Sequence, residues 1–106
     1  MEFIETSVFT TRIQELLSDE EYRELQHVLA SNPRAGDVIP GGRGLRKLRW
    51  SSRKKHKGKR GGIRVIYYQE TSHCLYMIFA YDKVAQGDLT RAQLRMLSAY
   101  VKEGAL

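Results

Sequence analysis

Cysteine is almost missing from this 106-residue sequence: Cys74 is the only one, which excludes a disulfide within these residues and fits a reducing compartment. No apolar run approaches the ~20 residues that a membrane-spanning helix needs. The first ten residues, MEFIETSVFT, carry acids and no basic region, so they do not read as a secretory signal. Neither GxGxxG nor GxxxxGK[ST] occurs, which removes the familiar phosphate-cradling loops. The three histidines, His27, His56 and His73, are scattered, and no His/Cys/Asp/Glu group has metal-ligand spacing. No metal or other cofactor is therefore expected. Acidic residues are absent between Asp37 and Glu70. These absences point to a cytoplasmic, metal-independent protein with one concentrated field of positive charge.

That field is the stretch Arg43 to Arg64, RGLRKLRWSSRKKHKGKRGGIR, which holds eleven of the eighteen lysines and arginines. The rest of the chain has seven basic and twelve acidic residues, a formal charge of −5 against +6 overall. Such a block repels itself, and a polyanion offsets that cost, so nucleic acid is the leading partner class, ahead of an anionic membrane surface. A solvated lysine-rich loop explains Arg53 to Arg60 but not the flanks. There Lys47, Arg49 and Arg64 lie on expected strands, which hold cations in fixed places.

The apolar fraction of 42% is ordinary for one globular domain with a single modest core, expected here over 1–106. Residues 2–9 alternate with a period of two and predict a strand. Thr10 and Thr11 open a short helix with Ile13, Leu16 and Leu17 on one face. Ser18 with Glu21 makes a capping box for a second helix from about Asp19, striped by Tyr22, Leu25 and Leu29 and stopped at Asn32-Pro33. The two helices form a hairpin packed on a sheet. Residues 34–44 are a glycine-rich loop, and its glycines serve turns.

A strand follows over Leu45 to Trp50, with Leu48 and Trp50 on one face and Lys47 and Arg49 on the other. After the basic loop, about 51–62, comes a strand with Ile63, Val65 and Tyr67 opposite Arg64, Ile66 and Tyr68. Glu70 to His73 make a tight turn. Cys74 to Tyr81 read as a central strand buried on both faces, with Cys74 a buried thiol and not a nucleophile. Gln86-Gly87-Asp88 marks a loop, Thr90 with Gln93 caps a last helix carrying Leu94, Leu97 and Val101, and Gly104 ends it. The expected architecture is α+β, in the order β-α-α-β-β-β-α, with a largely antiparallel sheet and helices on one side.

The pattern GLRKLRW, a polar insert ending KRGG, then GGIRVIYY, an apolar strand ending near AYDK and a short helical tail resembles the RelE/ParE superfamily of bacterial toxins. Within it, the SDEEYRELQ helix followed by NP, and GDVIPGGRGLRKLR, resemble the RelE-like HigB group. The resemblance spans essentially the whole chain. It implies a type II toxin in the bacterial cytoplasm that enters the ribosomal A site and cuts mRNA there. It also implies neutralisation by a cognate HigA-like antitoxin, with operator DNA bound only through the toxin–antitoxin complex. By position, the family's catalytic cations fall on Lys47, Arg49, Arg64 and Lys83. Two departures stand out: Val84 and Thr90 occupy positions where the family's prototype has an arginine and a tyrosine.

Metal-free RNA cleavage uses a 2′-hydroxyl to attack the adjacent phosphorus. It needs a proton acceptor, charge to stabilise the phosphorane and an acid for the leaving 5′-oxygen. Arginine supplies charge and bidentate phosphate contacts but is a poor base. Lys47 is the better base candidate, because Arg49 and Arg64 beside it favour its neutral form. Tyr68, Tyr81 or His73 are left to complete the proton chemistry. Arg46, Arg53, Lys54, Lys55, Lys57, Lys59, Arg60 and Tyr68 are the candidate RNA- and ribosome-binding residues. Arg49 and Arg64 could also serve only as phosphate contacts to ribosomal RNA. Two rival readings remain: a ParE-like gyrase inhibitor without nuclease activity, and a non-catalytic RNA-binding module.

Overall fold

The structure, a computed structural model, describes residues 1–52 and 62–103. Its elements run β1 (Glu2–Glu5), α1 (Ser7–Leu16), α2 (Asp19–Ser31), β2 (Asp37–Val38), β3 (Arg46–Trp50), β4 (Ile63–Thr71), β5 (Cys74–Asp82), α3 (Lys83–Gln86) and α4 (Arg91–Glu103). Among the described residues this is an α+β domain with a five-stranded mixed sheet, ordered β1-β5-β4-β3-β2. β1 runs parallel to β5, and every other pairing is antiparallel.

Thr6 ends the first strand earlier than the sequence pattern indicates. Its hydroxyl accepts from the Phe9 amide at 3.0 Å and donates to the Ile78 carbonyl at 2.8 Å, so it caps α1 and pins it to β5. Helix spacing then claims Phe9, Ile13 and Leu16 for the core, while Val8, which seemed to continue the strand, is exposed. The capping box on α2 is as expected: the Glu21 amide donates to Ser18 Oγ at 3.1 Å, and the Ser18 amide to Glu21 Oε1 at 3.3 Å. The helix stops at Ser31, with Asn32 as its C-cap before Pro33. Glu5 ties both helices to β1, accepting from Thr10 and Tyr22 hydroxyls at 2.6 Å each.

The helices cover both faces of the sheet, not one. On the first face Leu48, Ile63, Val65, Tyr67, Leu75, Met77 and Ala80 pack against α1 and α2. On the second, Leu45, Ile66, Ile78, Phe79 and Tyr81 pack with Leu97, flanked by Leu94 and Val101 of α4. β4 and β5 are apolar on both sides, so a one-sided arrangement would leave one side in water, at about 25 cal/mol for each Å² of apolar surface. β5 is an inner strand buried on both faces, as expected, although β4 occupies the middle of the sheet.

A bulge in β5 sets its phase. Ile66 pairs with Phe79 and Tyr67 with Met77, which leaves Ile78 as an extra residue. Ile78 and Phe79 therefore share the second face, and Tyr81, which strict alternation from Leu75 and Met77 would place under α1 and α2, turns to the second face too. The loop after α2 contributes the short edge strand β2, paired Asp37 to Lys47 and Val38 to Arg46. Gly36 is required there: a Cβ would lie 2.8 Å from the Tyr67 ring and 3.0 Å from the Lys47 backbone. The hairpin between β4 and β5 is tighter than expected, since Thr71 still pairs with Cys74. The single turn α3, started by the Asp82 carboxylate accepting from the Val84 amide at 2.9 Å, had no periodic signal. No helix among the described residues is long and apolar enough to cross a membrane.

Candidate functional site

Strand alternation and register place three of the four candidate catalytic cations on the second face. Arg49 pairs directly with Arg64, and Arg64 in turn with Tyr81, so the three form one row across β3, β4 and β5. Lys47 stands in the next row, opposite Ile66. Arg49 is exposed, whereas Arg64 is 8% exposed with its guanidinium donating to the Ile63 carbonyl at 3.2 Å. Like charges directly opposite on paired strands are destabilising. Here they stand one pair in from the end of the β3–β4 ladder at which the connection between the two strands begins.

Asp88 joins the two rows. Its Oδ1 accepts the Tyr81 hydroxyl at 3.2 Å and the Leu89 amide at 2.8 Å, and lies 3.5 Å from Lys47 Nζ. All three contacts fall on Oδ1, which among the described residues leaves Oδ2 to accept another proton donor. The Leu89 amide chiefly, helped by Lys47 and Tyr81 against a smaller opposing effect of burial, holds the Asp88 carboxyl below its usual range. Burial first, then the charge and hydrogen bond of Asp88, push the Tyr81 phenol up to about 12, with Arg64 working in the other direction. At neutral pH Asp88 is therefore an anion and Tyr81 a proton donor. The sequence argument for Lys47 counted only the two arginines beside it. The structure adds the Asp88 anion, which an isolated loop aspartate did not announce.

Phe79 extends the site on the side of α1. Its ring lies 6.1 Å from that of Tyr81, and the Arg12 guanidinium sits 5.0 Å from its centroid. Arg12, Glu15, Tyr81, Asp82 and Gln86 line an adjoining hollow of about 200 Å³. Arg12, lying outside the basic block, was not foreseen as part of this region.

The other candidates are distributed differently. Lys83 opens α3 just past β5, its amide donating to the Gly62 carbonyl at 3.1 Å, and no ion pair holds its ammonium among the described residues. Arg46 projects to the opposite face from Lys47, and its guanidinium donates to the Gly36 carbonyl at 2.7 Å. It closes the turn that Tyr67 also holds, through bonds to Pro33 and Gly36. Tyr68 stacks on Tyr76 with centroids 6.5 Å apart and joins the apolar cluster near α4, so its ring is engaged by protein. Arg53, Lys54, Lys55, Lys57, Lys59 and Arg60 lie outside the described residues. Of the three candidates for proton chemistry, Tyr81 alone stands in the cationic row. His73 occupies the far hairpin, roughly 25 Å from Arg64 at the usual rise per strand residue.

Cys74 is half-buried at the start of β5, and not fully enclosed as expected. Desolvation, with Glu2 and Glu70 nearby, raises its thiol and opposes thiolate chemistry. Thr90 caps α4, its Oγ1 accepting from the Gln93 amide at 3.0 Å, and Val84 is exposed on α3. No protein-family model matches the chain.

Proposed function

We propose that this chain is a RelE-like toxin of a type II toxin–antitoxin pair, an endoribonuclease that cuts mRNA in the ribosomal A site and so stops translation. The observation that carries the reading is the row Arg49, Arg64 and Tyr81, with Lys47 and Asp88 closing it. The helical hairpin, the sheet and the late helix make an α+β domain, the class that the sequence resemblance implies. The Tyr81–Asp88 pair also supplies proton-transfer groups where Val84 and Thr90 cannot.

In this reading the 2′-oxygen attacks the adjacent phosphorus while its proton passes to Asp88 Oδ2. Arg49, Arg64 and Lys47 stabilise the charge that builds on the phosphorane oxygens. Tyr81 protonates the departing 5′-oxygen, which leaves a 2′,3′-cyclic phosphate and a free 5′-hydroxyl. Asp88, with its carboxyl held low, is a weak base, so positioning and preorganised charge provide most of the rate. The basic residues from Arg53 to Arg60 would add salt-sensitive, sequence-independent contacts to ribosomal RNA. A HigA-like antitoxin is the expected inhibitor.

Primer extension on a defined mRNA, with and without ribosomes, tests this using wild type and Arg49→Ala. Ribosome-dependent cuts that disappear in the variant support the assignment. No cuts from the wild type under either condition would overturn it in favour of a binding inhibitor, with gyrase the next target to assay.

A further inference from the structure

Helix α4 presents a second face that takes no part in the cationic row. Leu94, Leu97 and Val101 pack toward the sheet, while Arg91, Arg95 and Ser98, spaced i, i+4 and i+7, follow a neighbouring line. That line borders the loop carrying Gly41 and Arg43, and between them lies an open hollow of about 500 Å³. Three arginines therefore line one hollow, and no acidic residue does. Among the described residues, no carboxylate pairs with Arg43, Arg91 or Arg95.

A second observation points to a ligand. Ser98 lines the same hollow, is 5% exposed, and its Oγ has no hydrogen-bond partner among the described residues. A helical serine ordinarily returns its hydroxyl to the carbonyl one turn back or to water. An unsatisfied buried hydroxyl is a cost that persists where something else uses it. Arg43 is also the only non-glycine residue with positive φ among those described, at 57°.

We propose that this hollow binds a phosphate group through Arg43, Arg91, Arg95 and the Ser98 hydroxyl. Guanidiniums from the loop and from two turns of helix, plus one hydroxyl donor, suit several oxygens on a tetrahedral anion better than the two of a carboxylate. The site shares no residue with the Lys47–Asp88–Tyr81 cluster and stands whether or not the chain cleaves RNA. A free phosphate ester and the backbone of a nucleic acid offer the same chemistry.

The test uses the whole isotopically labelled chain, titrated with inorganic phosphate at constant ionic strength and followed by amide NMR. Saturable shifts at Gly41, Arg43 and Ser98 are expected with phosphate and not with chloride. Arg91→Ala with Arg95→Ala should weaken binding by about tenfold or more, since two charge-assisted contacts are lost. Arg43→Gly, which relaxes the left-handed backbone, should also weaken it while leaving the fold intact. Ser98→Ala separates binding from structure: phosphate affinity falls by about threefold or more, while the ligand-free melting temperature holds or rises, because an unpaired polar group has gone. Titrating a short RNA with and without a 5′-phosphate assigns the source. Tighter binding of the phosphorylated form marks a terminal monoester, and equal binding marks the backbone. Equal responses to phosphate and chloride, unchanged affinity in the arginine variants, or tighter binding of an acidic peptide would overturn the proposal.

Discussion

Lys47 Nζ stands 3.5 Å from Asp88 Oδ1, so the one carboxylate of the cationic row rests against the lysine expected to work there. An incoming phosphate must share Lys47 with that carboxylate. Asp88→Asn removes one negative charge from a face with three cations. RNA affinity at low salt is expected to rise by about threefold, as counter-ion arguments require, and cleavage to fall by at least about tenfold. Fluorescence anisotropy with a non-cleavable RNA and primer extension read the two effects. An unchanged cleavage rate would remove Asp88 from the chemistry.

The same carboxylate makes stability sensitive to acid. Its folded-state pKa lies below the ordinary 3.8, so its contribution is present above that value and is lost as pH falls through the folded value. Asp88 is largely exposed, so solvent screening keeps the effect small. Urea melts of wild type and Asp88→Asn should converge as pH falls below about 4 and differ above it. Parallel pH profiles for the two proteins would show that Asp88 carries no such linkage.

Arg49 facing Arg64 predicts opposite changes in stability and function. Removing the exposed member, Arg49→Ala, relieves a like-charge cross-strand pair and should stabilise the fold by about 0.5 kcal/mol. For a domain of this size that corresponds to roughly 2–4 °C in Tm. Cleavage should fall by about tenfold or more as one phosphate-stabilising charge disappears. Calorimetry showing a lower Tm would mean that Arg49 is a structural residue.

Much of the fold was legible because local chemistry and tertiary demand agree. Ser18 with Glu21, Thr90 with Gln93, and Asn32 before Pro33 define helix ends without help from distant residues. Alternation put Lys47 and Arg49 on one face of their strand and Arg64 on the face of Ile66 and Tyr68, and the register brings the two faces together. Val8 misled because its alternation continued into a helix already claimed by Phe9. The two apolar faces of β5 were visible, yet the helix needed to cover the second one was assigned to the wrong side. Tyr81 reaches the site through the bulge at Ile78, and Asp88 through a loop. Neither leaves a periodic trace, so Tyr81 entered only as one of three alternatives beside Tyr68 and His73, and Asp88 was not foreseen at all.

Gly36 tests how far the turn after α2 supports the site from behind. The Tyr67 hydroxyl donates to Pro33 and accepts from the Gly36 amide, while Arg46 grips the Gly36 carbonyl. Gly36→Ala would drive a Cβ to 2.8 Å from the Tyr67 ring and 3.0 Å from the Lys47 backbone. The ring is fully buried and the strand is paired, so neither yields cheaply, and a loss of about 2 kcal/mol is expected, as for other overpacked sites.

Tyr81→Phe gives the sharpest division between packing and chemistry. The ring is buried beside Phe79, and phenylalanine preserves that contact while deleting the proton donated to Asp88. Stability should fall by about 1 kcal/mol, the usual worth of one hydrogen bond. Tyr81 keeps its proton up to about pH 12 in the folded chain, against 10 when unfolded. The folded state therefore binds that proton more tightly, and wild-type stability drops as pH rises from 10 toward 12, a slope that the variant lacks. Cleavage by Tyr81→Phe is expected to slow by about a hundredfold, within the range of general-acid catalysis, while RNA binding stays near wild type. Normal cleavage with the expected loss of stability would leave Tyr81 as a buttress for Asp88 and return the search for the acid to Lys83 at the start of α3.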